Sequence, residues 1–409
     1  MFPSRRITLG GDVFRDEYSL EFDGSNDYVD CGDAVSGISD YPFTVAGWFK
    51  GEFSGDSMIF AINDVSASSI DYKLLLRSAD GEGNLRLTAR ESGSTKGDAN
   101  TTPNNENEFN DSKWHHFAAV FINDTSRILY ADGVNRADDS TDVDFIAATD
   151  SFVVGANNDG GSRSKHFGGK ISEIALYSTA LTASQVATLY NGREPYNHKE
   201  GVAVGNLVGW WRMGDGVLDG FGTSTGLIGD EVTPTRGSEL IPNGTVWTGA
   251  GDPTPATQPT GWGKPAAGEY SVIDDGGEHT TALKLEQAAS PINPYITELF
   301  TTVAGKTYYY TVSYKMPSSG GATSGSIGIG TGEGSGSYAS HSSLTSTSWT
   351  TLSGYFVAGD TTSWIYLQII SDADGEYMLF DEVSVYQVNG NPGIMTNMDS
   401  DDIVTDTPA

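Results

Sequence analysis

A six-residue pattern occurs twice in this chain of 409 residues, as Ser172-Glu173-Ile174-Ala175-Leu176-Tyr177 and as Asp381-Glu382-Val383-Ser384-Val385-Tyr386. Both copies alternate polar and apolar residues with period two, the mark of a half-buried strand. A Gly-rich loop precedes each copy, and the chain changes character after it. A strand that closes a sheet implies an opening strand nearby in space, so two copies predict two β-sandwiches. The length suits two domains rather than one. With 51 glycines, few helix formers and many Thr, Ser, Tyr and Val residues, the composition points to an all-β fold with tight turns.

The formal net charge of -31 excludes nucleic acid as a partner, since phosphate binding needs clustered Lys and Arg. It also argues against an anionic membrane surface. Such acidity suits a protein in salty or crowded surroundings, or one whose carboxylates hold Ca²⁺, a hard cation that takes oxygen ligands. Cys31 is the single cysteine, so no intramolecular disulfide forms. The opening Met-Phe-Pro-Ser-Arg-Arg has no apolar run after its basic pair, so it does not read as a secretory signal peptide. No stretch is long and apolar enough to span a bilayer as a helix.

In the first part, Leu20 and Phe22 alternate with polar neighbours before an Asp23-Gly24 turn. Strand patterns follow at 42–50, 58–62, 72–77, 84–90, 113–122, 126–131, 151–155 and 169–177, spaced as a sandwich requires. One helix is predicted at 183–191, with Thr182 and Gln185 forming a capping box, Leu181 and Val186 a hydrophobic staple, and Gly192 the terminating residue. The segments Ser-Leu-Glu-Phe-Asp-Gly-Ser-Asn-Asp-Tyr-Val, Phe-Thr-Val-Ala-Gly-Trp-Phe-Lys, Trp114 to Val120, Gly168 to Ile174 and the helix occur in the order of the laminin G-like (concanavalin A-like) family, which residues 17–195 resemble.

The resemblance implies a Ca²⁺ site near the first turn and the closing strand, using Asp23 or Asp27 with Glu173. Glu21-Phe22-Asp23 begins like the Glu-x-Asp-x-x-Glu of glycosidases that share this fold, but position 26 is Asn. Retaining hydrolysis needs two carboxylates in one cleft, so no catalytic residue is expected. His115 and His116 are adjacent on a strand and point to opposite faces, which prevents them from sharing a metal.

The second part opens at Glu239-Leu240-Ile241-Pro242-Asn243-Gly244. It continues through Trp262, the strand Tyr308 to Tyr314, Trp349 to Phe356, and Trp364 to Ile369, and ends at Met378 to Val388. This order resembles the jelly-roll carbohydrate-binding modules attached to xylanases and glucanases. In that family one sheet face stacks aromatic rings on sugars, whose C–H faces are apolar, while polar side chains bind the hydroxyls. Alternation places Trp364, Tyr366 and Gln368 on one face. Tyr309 is an analogous candidate on another strand, and Tyr295 and Tyr338 are candidates on loops. Asp381 shares the face of Val383 and Val385 in a period-two reading. An inward carboxylate is costly unless paired or bound to a cation. The resemblance implies Ca²⁺ between first and last strands, held by Asp381 and Glu239.

The expected organisation is a terminal anchor at 1–16, a laminin G-like sandwich at 17–200, a connector at 201–237, a jelly roll at 238–390 and a tail at 391–409. The tail resembles the segment that follows Gly-Trp-Trp-Arg-Met-Gly-Asp-Gly in phage-borne laminin G-like proteins. The jelly roll is therefore expected to be an insertion, with the tail returning to the 206–216 strand. Residues 1–16, which concentrate Arg5, Arg6 and Arg15, are expected to join a capsid or tail protein or a sister subunit in a homo-oligomer. The opening sequence resembles that of marine phage structural proteins. The expected function is non-enzymatic: a virion-surface decoration, head-fibre or tail-fibre subunit that displays glycan-binding sandwiches toward the host. Two alternatives stand beside it, an extracellular accessory protein of a bacterial polysaccharide-utilisation system and a purely structural spacer.

Overall fold

The computed structural model describes residues 14–32, 34–51, 55–66, 71–77, 83–91, 94–101, 108–145, 149–216, 218–221, 226–232, 235–241, 262–263, 269–274, 279, 281–288 and 293–408. The expected anchor therefore lies almost wholly outside the described residues, including Arg5 and Arg6. Contacts divide the chain into two units. One contains the chain up to Gly220, 228–234 and the segment from Gly390; the other is built on 235–389.

The first unit is a sandwich of two antiparallel sheets. Sheet I runs Val134–Asp139, Ser126–Ala131, Trp114–Asn123, Phe43–Gly51, Gly168–Tyr177, Ser19–Asp23 and Ile403–Val404. Leu207–Trp211 also pairs with Gly168–Tyr177. Sheet II includes, in order, Gly393–Thr396, Tyr28–Asp30, Ser151–Val154, Asp56–Asn63, Asp71–Arg77, Asn84–Glu91 and Ser94–Asn100. Alternate residues of each strand point inward, and the aromatic contacts between sheets mark the core. Phe43 meets Tyr72 edge-on at 5.1 Å and Phe60 stacks on Phe117 at 5.9 Å.

The helix Ala183–Tyr190 is held at its start by both capping-box bonds of Thr182 and Gln185. Its left-handed terminating residue is Asn191, one position before the predicted glycine. Val186 and Leu189 cover the outer face of sheet I with Ala46, Ala118, Ala175, Tyr177 and Trp210.

The tail adds strands to the first unit at places other than the expected one. Gly393–Thr396 pairs with Tyr28–Asp30, and Ile403–Val404 with Ser19 and Leu20. It meets the 206–216 segment at Trp211, whose Nε1–H donates to the Asn391 carbonyl at 2.8 Å, and at Gly214, where a Cβ would fall 2.9 Å from Ile403. Asp406 then fastens the C-terminus by accepting from Lys50 Nζ at 2.7 Å and Trp114 Nε1 at 3.0 Å.

The second unit is a jelly-roll sandwich of a six-stranded and a four-stranded sheet. Sheet III runs Glu269–Ile273, Ala282–Glu286, Tyr377–Val388, Thr307–Lys315 and Thr350–Val357, with Arg236–Glu239 also on Tyr377–Val388. Sheet IV runs Tyr295–Thr301, Thr362–Ile370, Ser324–Gly330 and Ala339–Leu344. Its core joins Leu283, Leu285, Tyr308, Tyr310, Val312, Val383 and Val385 to Ile296, Ile327, Ile329, Ile365, Leu367 and Ile369. Each such Ile or Leu contributes about 1.5–3 kcal/mol relative to exposure. The ends of the unit meet: Asn389 N–H donates to the Thr235 carbonyl at 2.9 Å.

The repeated hexapeptide forms Gly168–Tyr177 and Tyr377–Val388, and both copies break their own alternation at one place. Ser172 pairs with Trp48 and Ala175 with Ala46, so Glu173 and Ile174 together face Gly47. Asp381 pairs with Ser313 and Ser384 with Thr311, so Glu382 and Val383 together face Val312. The extra residue is a β-bulge, which shifts the face of everything beyond it. Glu173 and Glu382 sit there in the left-handed region, at φ 53° and φ 48°. Asp381 therefore does not share the inward face of Val383 and Val385, as the period-two reading expects. It lies with Ser313 on the outer side.

Candidate functional site

The outer face of sheet IV brings four of the six aromatic and amide candidates together. Ile365, Leu367 and Ile369 enter the core, which leaves Trp364, Tyr366 and Gln368 half-buried on the outside. The neighbouring strand places Tyr295 opposite Gln368, Thr297 opposite Tyr366 and Leu299 opposite Trp364. On the other side lie Ser326, Gly328 and Gly330. A Cβ at Gly328 would fall within 2.3–2.8 Å of the Tyr366 ring, so the ring lies against this strand. The missing side chain at Gly328 is what makes room for it. Among the described residues Trp364, Tyr366 and Tyr295 have no aromatic or cationic partner. The Gln368 Oε1 accepts from Ser326 Oγ at 3.2 Å, and among the described residues its Nε2 has no protein partner. The four strands contain no Lys or Arg.

Tyr309 belongs to a different surface. It points outward from sheet III, the opposite sheet, between Tyr355 and Tyr386. The Arg236 guanidinium lies 3.9 Å from its ring centroid and Tyr355 packs at 5.1 Å, so the ring is already capped. Trp349, at the far end of that face, is covered by His279 at 3.9 Å. Tyr338 is not a loop platform either. It stacks on Phe356 at 5.5 Å, and its hydroxyl accepts from Gly359 N–H.

The metal candidates separate in the same way. Glu239 Oε1 accepts from the N–H groups of Ile241 and Val385, at 2.8 and 2.9 Å. Asp381 instead bonds His279 Nδ1 at 2.8 Å and accepts from Glu382 N–H. Burial raises its pKa, against the pull of those two partners. Glu239 pairs with Tyr386, five residues from Asp381 and on the order of 15 Å along the strand. The two are not brought together.

In the first unit Asp23 caps its own turn, accepting from Ser25 and Asn26, and Asp27 accepts from Asp23 N–H at 2.8 Å. Burial lifts the Asp27 carboxyl to about 6. Neither carboxylate meets Glu173, because Asp23 pairs with Gly168, five residues away.

Glu173 has other company. Its fully buried carboxylate accepts from Arg212 Nε at 2.9 Å and from Trp210 Nε1 at 2.6 Å. Carboxylate oxygens of Asp16 and Asp215 lie within 4.8 Å of it and of one another. Ser172 Oγ donates to Asp16 at 3.2 Å, and Asp215 accepts from Glu17 and Tyr18 N–H. Burial, then the charges of Glu173 and Asp215, push the Asp16 carboxyl far up. Burial also raises Glu173, and Arg212 opposes it. Asp16, Asp215, Arg212 and Trp210 escaped sequence reasoning because they reach Glu173 from two segments distant from it in the chain. The signal available was the Gly-Trp-Trp-Arg-Met-Gly-Asp-Gly run, which carries three of the four. The histidine pair divides as alternation predicts: His115 bonds Asp132 and Asp111, while His116 packs edge-on against Trp48 at 5.1 Å.

The chain has 14% identity to the Ruminococcus gnavus intramolecular trans-sialidase carbohydrate-binding module 40 bound to α2,3-sialyllactose, covering 42% of this chain and 96% of that one at a TM-score of 0.37. Mouse laminin α1 domains LG4-5 give 17% identity, 40% and 46% coverage and a TM-score of 0.30. Domain 4 of a Geobacillus stearothermophilus extracellular arabinanase with arabinotriose gives 22% identity, 42% and 76% coverage and a TM-score of 0.33. Likenesses this distant bear on neither ligand nor site. No curated protein matches the sequence. Residues 23–187 match the laminin G type of the concanavalin A-like lectin/glucanases superfamily, and the first sandwich is a domain of that kind.

Proposed function

We propose that the chain is a non-enzymatic glycan-binding protein whose binding face is the outer side of sheet IV. The observation that carries this reading is the set of partly exposed rings, Trp364, Tyr366 and Tyr295, that no other ring or cation among the described residues covers. Exposed aromatic surface beside an open amide is costly to leave without a ligand, and it suits a pyranose with apolar C–H faces and polar edges. The lack of Lys and Arg on the strands favours an uncharged sugar. Binding to a glycan array by the full chain, and by Trp364→Ala and Tyr366→Ala, tests this. Each substitution is expected to weaken binding about tenfold or more without changing the melting temperature. Unchanged binding in both variants sinks the reading.

Within this proposal the protein is displayed on a phage virion, as a decoration or fibre subunit, with the start of the chain meeting its capsid or tail neighbours. The resemblance of the opening and tail sequences to phage structural proteins supports that setting. Mass spectrometry of purified particles would refute it by failing to find the chain. A structural Ca²⁺ also belongs to the proposal. Asp16, Glu173 and Asp215 offer oxygen donors of the kind Ca²⁺ takes, and an ion there would displace the proton that burial and repulsion keep on Asp16. These residues would hold the ion, and it would supply neutralising charge between strands. A Ca²⁺-dependent rise in melting temperature, absent in Asp215→Asn, is the expected outcome.

A further inference from the structure

The loop 331–337 joins Ser324–Gly330 to Ala339–Leu344 and folds back over the outer face of sheet IV. Its sequence, Thr-Gly-Glu-Gly-Ser-Gly-Ser, makes a tight turn. Ser335 N–H donates to the Gly332 carbonyl at 2.9 Å, and Gly334 holds φ 72°. Gly330 ends its strand opposite Trp364, on the outer side. A Cβ there would fall 2.5 Å from the Ser335 carbonyl oxygen and 2.7 Å from the Ser335 and Ser337 hydroxyls. The absent side chain is what lets the loop settle on that side.

The loop also crosses the sheet. Thr297 Oγ1 lies 3.4 Å from Glu333 Oε1, and Thr297 stands directly opposite Tyr366. Two strand spacings, about 9.6 Å, separate the strand of Thr297 from that of Gly330, more than one glutamate side chain spans. The tip of the loop therefore stands over Thr362–Ile370, past Trp364 and on the side of Tyr366. Thr297 is 1% exposed, whereas Glu333 is exposed. A Cβ at Gly332 or Gly334 would meet nothing within 4 Å, so the tip projects into open space. The contact to Thr297 is long for a hydroxyl donor, and among the described residues Glu333 makes no other hydrogen bond or ion pair. Most of the accepting capacity of this carboxylate is thus open, beside a ring.

We propose that the loop 331–337 closes the Trp364 end of the face, so that the site takes the terminal residue of a neutral glycan chain, with its ring on Tyr366 and its hydroxyls donating to Glu333. It rests on the reading of sheet IV as the glycan-binding face. A chain running through the site would have to displace the loop, and a chain end would not. The carboxylate welcomes hydroxyls and repels an acidic sugar.

Calorimetric titration of the full chain with the hexasaccharides of β-1,4-xylan, β-1,4-mannan and mixed-linkage β-glucan, and with the parent polymers, tests it. An end site is expected to bind one protein per polymer chain, at the affinity of the matching hexasaccharide. A face open at both ends offers many registers along a polymer and would load several proteins on each chain. Glu333→Ala is expected to weaken binding about tenfold at an unchanged melting temperature. Glu333→Gln keeps the shape and removes the charge. It is expected to bind xylohexaose ended by a glucuronate about tenfold better than the native chain does. Several proteins per polymer chain, native affinity in Glu333→Ala, an unchanged response to the glucuronate in Glu333→Gln, or no binding of any of the three sugars overturns the proposal. Trp364→Ala separates the two possible failures. If it loses binding while Glu333→Ala keeps it, the face is right and its closed end is wrong; if both keep it, the face itself is wrong.

Discussion

In Gly168–Tyr177 the side chain at the bulge, Glu173, is buried beneath Trp210 and Arg212. In Tyr377–Val388 the corresponding Glu382 is exposed, and the preceding Asp381 is the buried acid. The cause of the bulge is shared. Each strand changes its flanking neighbour there. Gly168–Tyr177 pairs with Ser19–Asp23 up to Ile171 and with Leu207–Trp211 from Ile174. Tyr377–Val388 pairs with Ala282–Glu286 up to Phe380 and with Arg236–Glu239 from Tyr386. Between the two neighbours the backbone has no ladder on that side, and buried backbone groups must be satisfied in some other way. The first unit fills the gap with carboxylates and a guanidinium. The second fills it with one aspartate and one histidine.

The difference predicts unequal costs. Glu173→Ala leaves the Arg212 guanidinium buried against two remaining acids and strips Trp210 Nε1 of its acceptor. It is expected to destabilise the first unit by about 3–5 kcal/mol in chemical denaturation. A cost below about 1 kcal/mol would show that the gap is looser than the distances say. Asp381→Ala removes one hydrogen-bonded partner from His279 and frees Glu382 N–H, an expected loss of about 2 kcal/mol. Equal costs in the two variants would erase the distinction between the strands.

The second unit also buries an acid that makes no hydrogen bond or ion pair with the described residues. Glu298 lies on the core side of Tyr295–Thr301 opposite Ile365, 6% exposed, with Oε2 unpartnered. Burial lifts its carboxyl to about 7. A folded-state pKa above the unfolded value means that the fold favours the protonated form. Its stabilising effect is complete below the ordinary glutamate range and is lost as pH rises toward 7. The melting temperature should therefore fall between pH 5 and 8 by the equivalent of about 1–2 kcal/mol. Glu298→Gln should lose that fall and be the more stable protein at pH 8. A parallel decline in both proteins would assign the effect elsewhere.

Much of this architecture was legible in the sequence because it follows from periodicity. The two sandwiches, the helix with its Thr182–Gln185 box and the shared face of Trp364, Tyr366 and Gln368 are all consequences of local spacing. What spacing cannot carry is an inserted residue. The bulge at Glu382 turned Asp381 from the inward side to the outward one, and no composition rule marks a bulge at Asp-Glu-Val. Nor can it show occupancy: Tyr309 and Trp364 have the same polar–apolar chemistry, and only the structure shows Arg236 resting on one of them and, among the described residues, no ring or cation on the other. The cluster of Asp16, Glu173 and Asp215 joins residues 157 and 42 positions apart, beyond the reach of any local pattern.

The smallest effect bears on whether the bulge belongs to the motif or to its surroundings. Glu382 holds φ 48°, where a side chain costs about 1 kcal/mol that glycine does not incur. Its carboxylate accepts one bond, from Ser313 Oγ at 2.8 Å. Glu382→Ala loses that bond and keeps the strain; Glu382→Gly loses the bond and relieves the strain. The glycine variant is expected to be the more stable by about 1 kcal/mol in denaturant titration. At position 173, where φ is 53°, the same offset should separate Glu173→Gly from Glu173→Ala, on top of the much larger loss both share. If the offset appears at both sites, the left-handed bulge is a property of the repeated pattern, and the buried acids are what each unit adds to it. If it appears at 382 alone, the carboxylate network imposes the conformation of Glu173, and the two closing strands resemble each other in sequence for different physical reasons.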